Sequence, residues 1–326
     1  MKVRASLSLD LDNQWSYLKT HGDAGWESYP SYLDVVVPRV LDELAARGLT
    51  VTFFVVGQDA ALPEHHDVLR ALAEAGHEIG NHSFRHEPWL HRYSEADLDA
   101  ELARAEDAIE TATGVLPIGF RGPGYSLSET TLRVLVRRGY RYDASTLPTW
   151  VGPLARAIYF RTASLSTEQR RDRAALFGGF ADGRRGVGPY RWHFDDDHTL
   201  IELPVTTFPG LKLPIHVSYL LALSAYSPGA ARRYFGAALG TCRWVGIGPS
   251  ILLHPLDFLG GDEVKELAFF PGMTLPLEDK LDRVGSYLDQ LTDGFDVGPV
   301  GAHVAALEER STLRLVEPRS DLQAGP

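Results

Sequence analysis

Short apolar runs alternate with amphipathic stretches along this chain. Val3 to Leu9 reads as a strand, and Tyr32 to Ala46 has a helical period that stops at Gly48. Thr50 to Val56 is a continuous β-branched and aromatic run, the pattern of a strand buried on both faces. Glu64 to Ala75 is helical and ends at Gly76, and His77 to Gly80 is a short strand. Ser94 to Thr113 predicts a long helix, with Ser94 as N-cap, Asp97 three residues on and Gly114 as the stop. Ile118 to Arg121 is strand-like, and Ser128 to Arg138 is helical up to Gly139.

The alternation pauses from Thr146 to Thr199, an irregular stretch rich in Gly, Arg and aromatic residues. It resumes with a strand at Leu200–Val205, a helix at Ala230–Val245, a strand at Ser250–Leu253 and a helix at Leu277–Leu291. Repeated β-α units imply a parallel sheet, closed as a barrel or doubly wound. The residues with chemical potential lie at or just past the C-terminal ends of predicted strands. In a (β/α) barrel those ends converge on one face, so the expectation is a single α/β barrel over residues 1–317, interrupted by an insertion at about 146–199. Residues 318–326 read as a frayed tail.

Composition narrows the function classes. A chain of 326 residues with net charge −11 offers no basic stripe for nucleic acid. The single cysteine, Cys242, excludes an internal disulfide and reads as an inert core thiol. No apolar run reaches the length of about 18 residues that a transmembrane helix needs. The leading Met1-Lys2-Val3-Arg4 runs straight into the first strand, which leaves no room for a signal peptide and sets the expectation of a cytoplasmic protein.

Five short segments carry the candidate chemistry. Asp10-Leu11-Asp12 at a strand end puts two carboxylates on one face, although such a pair is also a common turn or capping element. His82-Ser83-Phe84-Arg85-His86 spaces two imidazoles that are either metal ligands or surface residues. One carboxylate and two imidazoles form a ligand set with open positions, and the second carboxylate is a candidate base, so together they suggest metal-assisted hydrolysis. Arg121, followed by Gly122-Pro123-Gly124-Tyr125-Ser126, can fix a carboxylate or simply face solvent. The remaining two are Tyr142-Asp143, with Trp150 downstream, and His254, which ends an apolar strand.

In this order the five segments resemble the polysaccharide deacetylase family, also called the NodB-homology or carbohydrate esterase 4 family. The resemblance covers roughly residues 5–145 and 250–257. It implies a distorted (β/α) barrel with fewer than eight complete units and one divalent metal, Zn most of all, with Co, Ni or Mn as substitutes. By the resemblance Asp12, His82 and His86 hold that metal, Asp10 is the base, Arg121 tethers Asp10, and His254 is the acid, oriented by Asp143. A backbone N–H near Tyr125 offers an oxyanion contact. Trp15, Trp89, Trp150 and Tyr125 are expected to touch substrate. The spaced Asp-x-Asp, the glycines around Pro123 and the stretched fourth segment depart from the usual family pattern.

The implied function is removal of an N-acetyl or other N-acyl group from an amino sugar. With a cytoplasmic location expected, a nucleotide-linked, lipid-linked or small glycoside is expected ahead of chitin or peptidoglycan. Tyr159, Tyr190 and Trp192 in the insertion belong either to a lid over the substrate or to a structural elaboration, and Asp195-Asp196-Asp197 reads as a solvated turn. Leu211 to Leu223 is a core helix or, if exposed beside the site, a surface for a lipid-linked substrate; peripheral membrane contact and self-association stay open. The alternatives are an amide hydrolase on a non-sugar linear or cyclic amide, a deformylase of lipid-linked sugars at the membrane face, and a non-catalytic sugar-binding protein.

Overall fold

The computed structural model describes residues 2–154, 165, 167–172, 180, 182–195, 198–309 and 313–318. Tyr159, Asp196, Asp197 and the tail from residue 319 lie outside the described residues.

Strand β1 (Arg4–Leu11) is the centre of the molecule. It pairs in parallel with β2 (Thr52–Val55) on one side and with β8 (Ser250–Leu253) on the other, and its first residues pair with β9 (Asp296–Gly298). From Ala5 onward its residues are buried on both faces, which is why Ala5 to Leu9 are all apolar or small. From β2 the parallel order continues through β3 (Glu78–Asn81), β4 (Gly119–Phe120), β5 (Tyr142–Asp143) and β7 (His198–Glu202). Strand β6 (Tyr190–Asp195) runs antiparallel to β7, and β10 (Leu315–Val316) adds to β6.

No ladder joins β7 to β8 among the described residues. The segment after β7 closes that seam instead: Thr206 N donates to Ser250 O at 2.9 Å, and Ser250 N to Thr206 Oγ1 at 2.8 Å. The fold is thus the expected distorted α/β barrel with fewer than eight units.

Helices α1 (Gln14–His21), α2 (Leu33–Ala45), α3 (Gly57–Ala60), α4 (His66–Glu74), α5 (Glu95–Thr113) and α6 (Glu129–Arg137) follow in order. Ser94 caps α5 by accepting from Asp97 N, and Gly114 ends it in the left-handed conformation that a glycine adopts without strain. After the short α7 (Thr167–Asp172) come α8 (Val217–Ser224), α9 (Pro228–Trp244) and α10 (Leu277–Gly294). Cys242 is buried on α9, and burial pushes its thiol up to about 12, so it is the inert core thiol expected.

Helix α11 (Val300–Glu308) was not apparent in the pattern and seals the bottom of the barrel. Val300 and Val304 pack against Phe54, Tyr142 and Ile201. At its first turn Val300 N donates to Thr52 Oγ1, and Gly301 N to Glu78 Oε2. The N-terminal ends of the strands are therefore blocked, and only the opposite end offers a mouth.

Among the described residues of the insertion, those of β6 belong to the sheet. Tyr190 and Trp192 on β6 are 4% and 1% exposed and join the apolar cluster around Phe120 and Leu132, so they are core rather than lid. In the 211–223 stretch Val217, Leu220 and Leu221 are buried, while Leu211, Leu213, Tyr219 and Leu223 are exposed.

Candidate active site

The C-terminal strand ends bring Asp10, Asp12, His82, His86, Arg121 and His254 to one mouth. The register fixes much of this directly. Leu9 faces Leu253, so Asp10 and His254, the next residues, leave adjacent strands side by side. Asp10 is likewise opposite Phe54, and Asn81 opposite Phe120, which sets His82 beside Arg121.

Asp12, His82 and His86 each present one ligand atom, all within 4.8 Å of one another. Asp12 Oδ1 is 2.9 Å from His86 Nε2 and 3.3 Å from His82 Nε2. Burial opposes ionisation of Asp12, but the adjacent His86 and His82 hold its carboxyl well below the usual range. His82 donates from Nδ1 to Arg121 O at 2.6 Å, which leaves Nε2 with its lone pair toward the cluster. Asp12 Oδ1 and His86 Nε2 are buried with no hydrogen-bond partner. A divalent cation fits the need of both atoms, and the one-carboxylate, two-imidazole set suits Zn²⁺ with positions to spare.

The loop that carries the two histidines is held in an uncommon shape. Ser83 and His86 have φ of 62° and 52°. Asn81 Oδ1 accepts from Ser83 N, Ser83 Oγ from His86 N, and Glu101 Oε1 on α5 from both Phe84 N (3.0 Å) and Arg85 N (2.6 Å). These polar anchors supply the energy that a left-handed non-glycine backbone costs. Sequence reasoning missed Glu101; its signal is a lone acidic residue on the apolar face of α5.

Arg121 is fully buried. It donates from Nη1 to Asp10 Oδ1 (2.7 Å) and Ser8 Oγ (2.8 Å), and from Nε to Ala144 O (2.9 Å). Its guanidinium also lies 4.3 Å from the Phe54 ring centre.

Two expectations are corrected by the contacts. Asp143 does not reach His254. Its partners are Ser145, whose Oγ donates at 2.5 Å, and Glu202. Ser145 Oγ in turn accepts from Gly122 N, so Asp143 anchors the turn around Arg121. Glu202 accepts from Thr146 Oγ1 and from Trp192 Nε1. Burial and the neighbouring Asp143 push Glu202 well above the usual carboxylate range, so this pair keeps a proton. His254 instead meets Ser218 and Asp257.

Second, Tyr125 N–H donates to Gly122 O at 3.0 Å and Ser126 N–H to Pro123 O at 3.0 Å, so neither points at a ligand. The Tyr125 side chain lies near Asp10 and Asp12, and its hydroxyl is raised by burial and by Asp10.

The expected aromatic contacts separate. Trp15 is 1% exposed, with its N–H on Asp59 Oδ1 and its edge against His86, so it backs the metal cluster and is not a rim residue. Trp89 is half-buried, and Trp150 is exposed over Lys212. Sequence reasoning also missed His216, buried at the start of α8 with its ring centre 6.2 Å from that of His254. Burial, with His254 and Arg121 nearby, lowers it to about 3 and keeps it neutral.

Residues 23–142 match the family model described as polysaccharide deacetylase. A peptidoglycan deacetylase of Helicobacter pylori is 25% identical over 153 residues, covering 45% of this chain and 50% of the relative. A peptidoglycan-N-acetylglucosamine deacetylase of Bacillus cereus is 26% identical over 123 residues, covering 37% of this chain and 44% of the relative. The chain thus spans about half the length of these curated relatives. Among solved structures, a candidate polysaccharide deacetylase from Mycobacterium smegmatis superimposes with a TM-score of 0.64 at 21% identity, covering 98% of this chain and 94% of that one. The Puue allantoinase does so with 0.57 at 16% identity, covering 95% and 91%. Both likenesses concern the fold.

Proposed function

We propose that this chain, whose residues 23–142 match the polysaccharide deacetylase family model, is a divalent-metal-dependent hydrolase that removes an N-acetyl or other N-acyl group from an amino sugar. The observation that carries the reading is the bond between Arg121 and Asp10 beside the Asp12–His82–His86 cluster. Binding alone needs no carboxylate clamped by a buried guanidinium next to a metal set.

Asp12, His82 and His86 would hold the ion, proposed as Zn²⁺. When bound, such an ion polarises an acyl oxygen and makes water acidic enough to lose a proton near neutral pH. Asp10, fixed by Arg121, takes that proton. The adjacent His254 gives a proton to the departing amine. Neutral His216 beside His254, and Tyr125 beside Asp10, would be the neighbours that meet the sugar.

For the substrate form we propose a small or carrier-linked amino sugar. The exposed Tyr219, whose ring meets that of His216 beside His254, supports a carrier-linked form. The names of the relatives support an N-acetylhexosamine.

The test is metal analysis together with acetate release from chitin oligosaccharides, peptidoglycan, nucleotide-linked and lipid-linked N-acetyl sugars, with allantoin as a non-sugar amide. Stoichiometric metal and acetate release from one sugar class are expected. A protein that binds no divalent metal would end this reading, and turnover of allantoin alone would replace the substrate.

A further inference from the structure

His254 is held by a carboxylate that the sequence motifs left without a role. Its backbone N–H donates to Asp257 Oδ2 at 2.8 Å. Ser218 Oγ on α8 lies 2.8 Å from Asp257 Oδ1 and 3.1 Å from His254 Nδ1. A hydroxyl has one proton. With Asp257 ionised that proton goes to the carboxylate, and Oγ offers the ring only lone pairs. The neutral ring accepts from Asp257 N–H, which leaves its Nε2–H toward the mouth. In the imidazolium, the form from which a general acid donates, Asp257 N–H stays on His254 O at 3.0 Å, Nδ1–H turns to Ser218, and Nε2–H is kept for the substrate.

Asp257 and Ser218 are both buried, so solvent does not compete for these bonds. Lys280 on α10 supports the turn. It is 1% exposed and donates from Nζ to Leu256 O and Leu259 O, both at 2.7 Å, on either side of Asp257. Burial raises Asp257, while His254 and Lys280 favour its charged form. The other polar groups facing this corner are His216 and Tyr17.

We propose that Asp257, acting through Ser218, is the positioning carboxylate for His254, and that Lys280 fixes the turn that carries it. The inference rests on the reading of His254 as the acid, and its test separates the two.

The full chain, loaded with Zn²⁺, is assayed on aryl acetates from 4-nitrophenyl to 4-methoxyphenyl acetate. A nitrophenolate leaves without help, whereas a more basic phenolate gains from a proton donor. Ser218→Ala and Asp257→Asn are each expected to lower kcat/KM on the least activated ester by about 10²-fold. On 4-nitrophenyl acetate they should change it by less than about threefold, with metal content unchanged. The double variant should be no slower than Asp257→Asn, because the pair acts as one unit. Ser218→Ala, which removes a single hydroxyl, carries the test if Asp257→Asn does not fold. Equal losses across the series, or additive losses in the double variant, would assign the pair a structural role and overturn the proposal. If His254→Gln shows the leaving-group dependence and Ser218→Ala does not, the positioning pair is wrong and the acid stands. A His254→Gln variant as fast as the unsubstituted chain on every ester would remove the acid and the pair together.

Discussion

Arg121 Nη1 lies 2.7 Å from Asp10 Oδ1, although 111 residues separate them in the chain. The guanidinium is wholly buried and the carboxylate nearly so. Asp10 is thereby committed to Arg121, while Asp12 is the carboxylate that meets the two histidines.

That division of labour predicts different outcomes for the two carboxylates. Asp10→Asn should keep its metal and lose turnover by about 10²-fold or more, the scale of general-base catalysis. Arg121→Met leaves Asp10 without its buried partner and should cost about 3–5 kcal/mol of stability as well. Metal content, acetate release and urea unfolding on the same samples check both. Near-normal turnover in Asp10→Asn would mean another group is the base.

Loss of a ligand should read out without any substrate. Zn²⁺ bound to the fold alone should raise the unfolding free energy, by about 2.7 kcal/mol at a hundred times its dissociation constant. His82→Ala and His86→Ala should abolish that gain, and a chelator should remove it from the unsubstituted chain. A zinc-induced rise in Tm that survives in His82→Ala would place the ion elsewhere.

Glu101 accepts two backbone N–H groups from the loop that carries the ligands. Glu101→Ala orphans both, at about 1–3 kcal/mol each. Glu101→Gln keeps one acceptor oxygen and should retain most of the stability. In the alanine variant zinc affinity should fall with stability, because His86 follows directly on the freed segment. Calorimetric titration with Zn²⁺ decides this, and unchanged affinity would detach Glu101 from the site.

The buried Asp143–Glu202 pair predicts a sign for the pH dependence of stability. Glu202 keeps its proton in the fold at pH values where the unfolded chain, with an ordinary glutamate near 4.5, has released it. Below that value both states are protonated and the group contributes nothing. Above it the folded state binds more protons, so stability falls as pH rises. Glu202→Gln should flatten this slope and gain stability relative to the unsubstituted chain at pH 7–8. Urea denaturation between pH 4 and 8 measures it; a slope unaltered by the substitution would exclude the pair as its origin.

Much of the barrel is legible in the chain because its strands and helices alternate with distinct periods. The Ser94 cap and the Gly114 stop appear where the side-chain chemistry puts them. The Asp12–His82–His86 cluster is readable because its members follow strand ends. Strands such as β4 and β5 are only two residues long and stand on tertiary packing: a Cβ on Gly119 would fall 1.9 Å from Tyr142 Cζ. Helix α11 and strand β6 were hidden because their apolar residues meet partners far away in sequence. The Asp143 assignment failed for a related reason. Which carboxylate meets His254 depends on where α8 and the turn after β8 are packed, and spacing along the chain carries no record of that. The three-residue interval from His254 to Asp257, with the carboxylate accepting the histidine N–H, was the signal available.

The seam between β1 and β8 also constrains how the molecule is made. Leu9 faces Leu253, so the strand ending in Asp10 is synthesised well before its neighbour ending in His254. Until β8 emerges, one edge of the central strand has unpaired backbone groups, an invitation to wrong partners. Contacts this distant in sequence slow folding, because a long loop must close before they form. The metal half of the site, carried by β1 and β3, can assemble before the acid half exists. An ion captured there would steady the incomplete sheet while it waits for its closing strand.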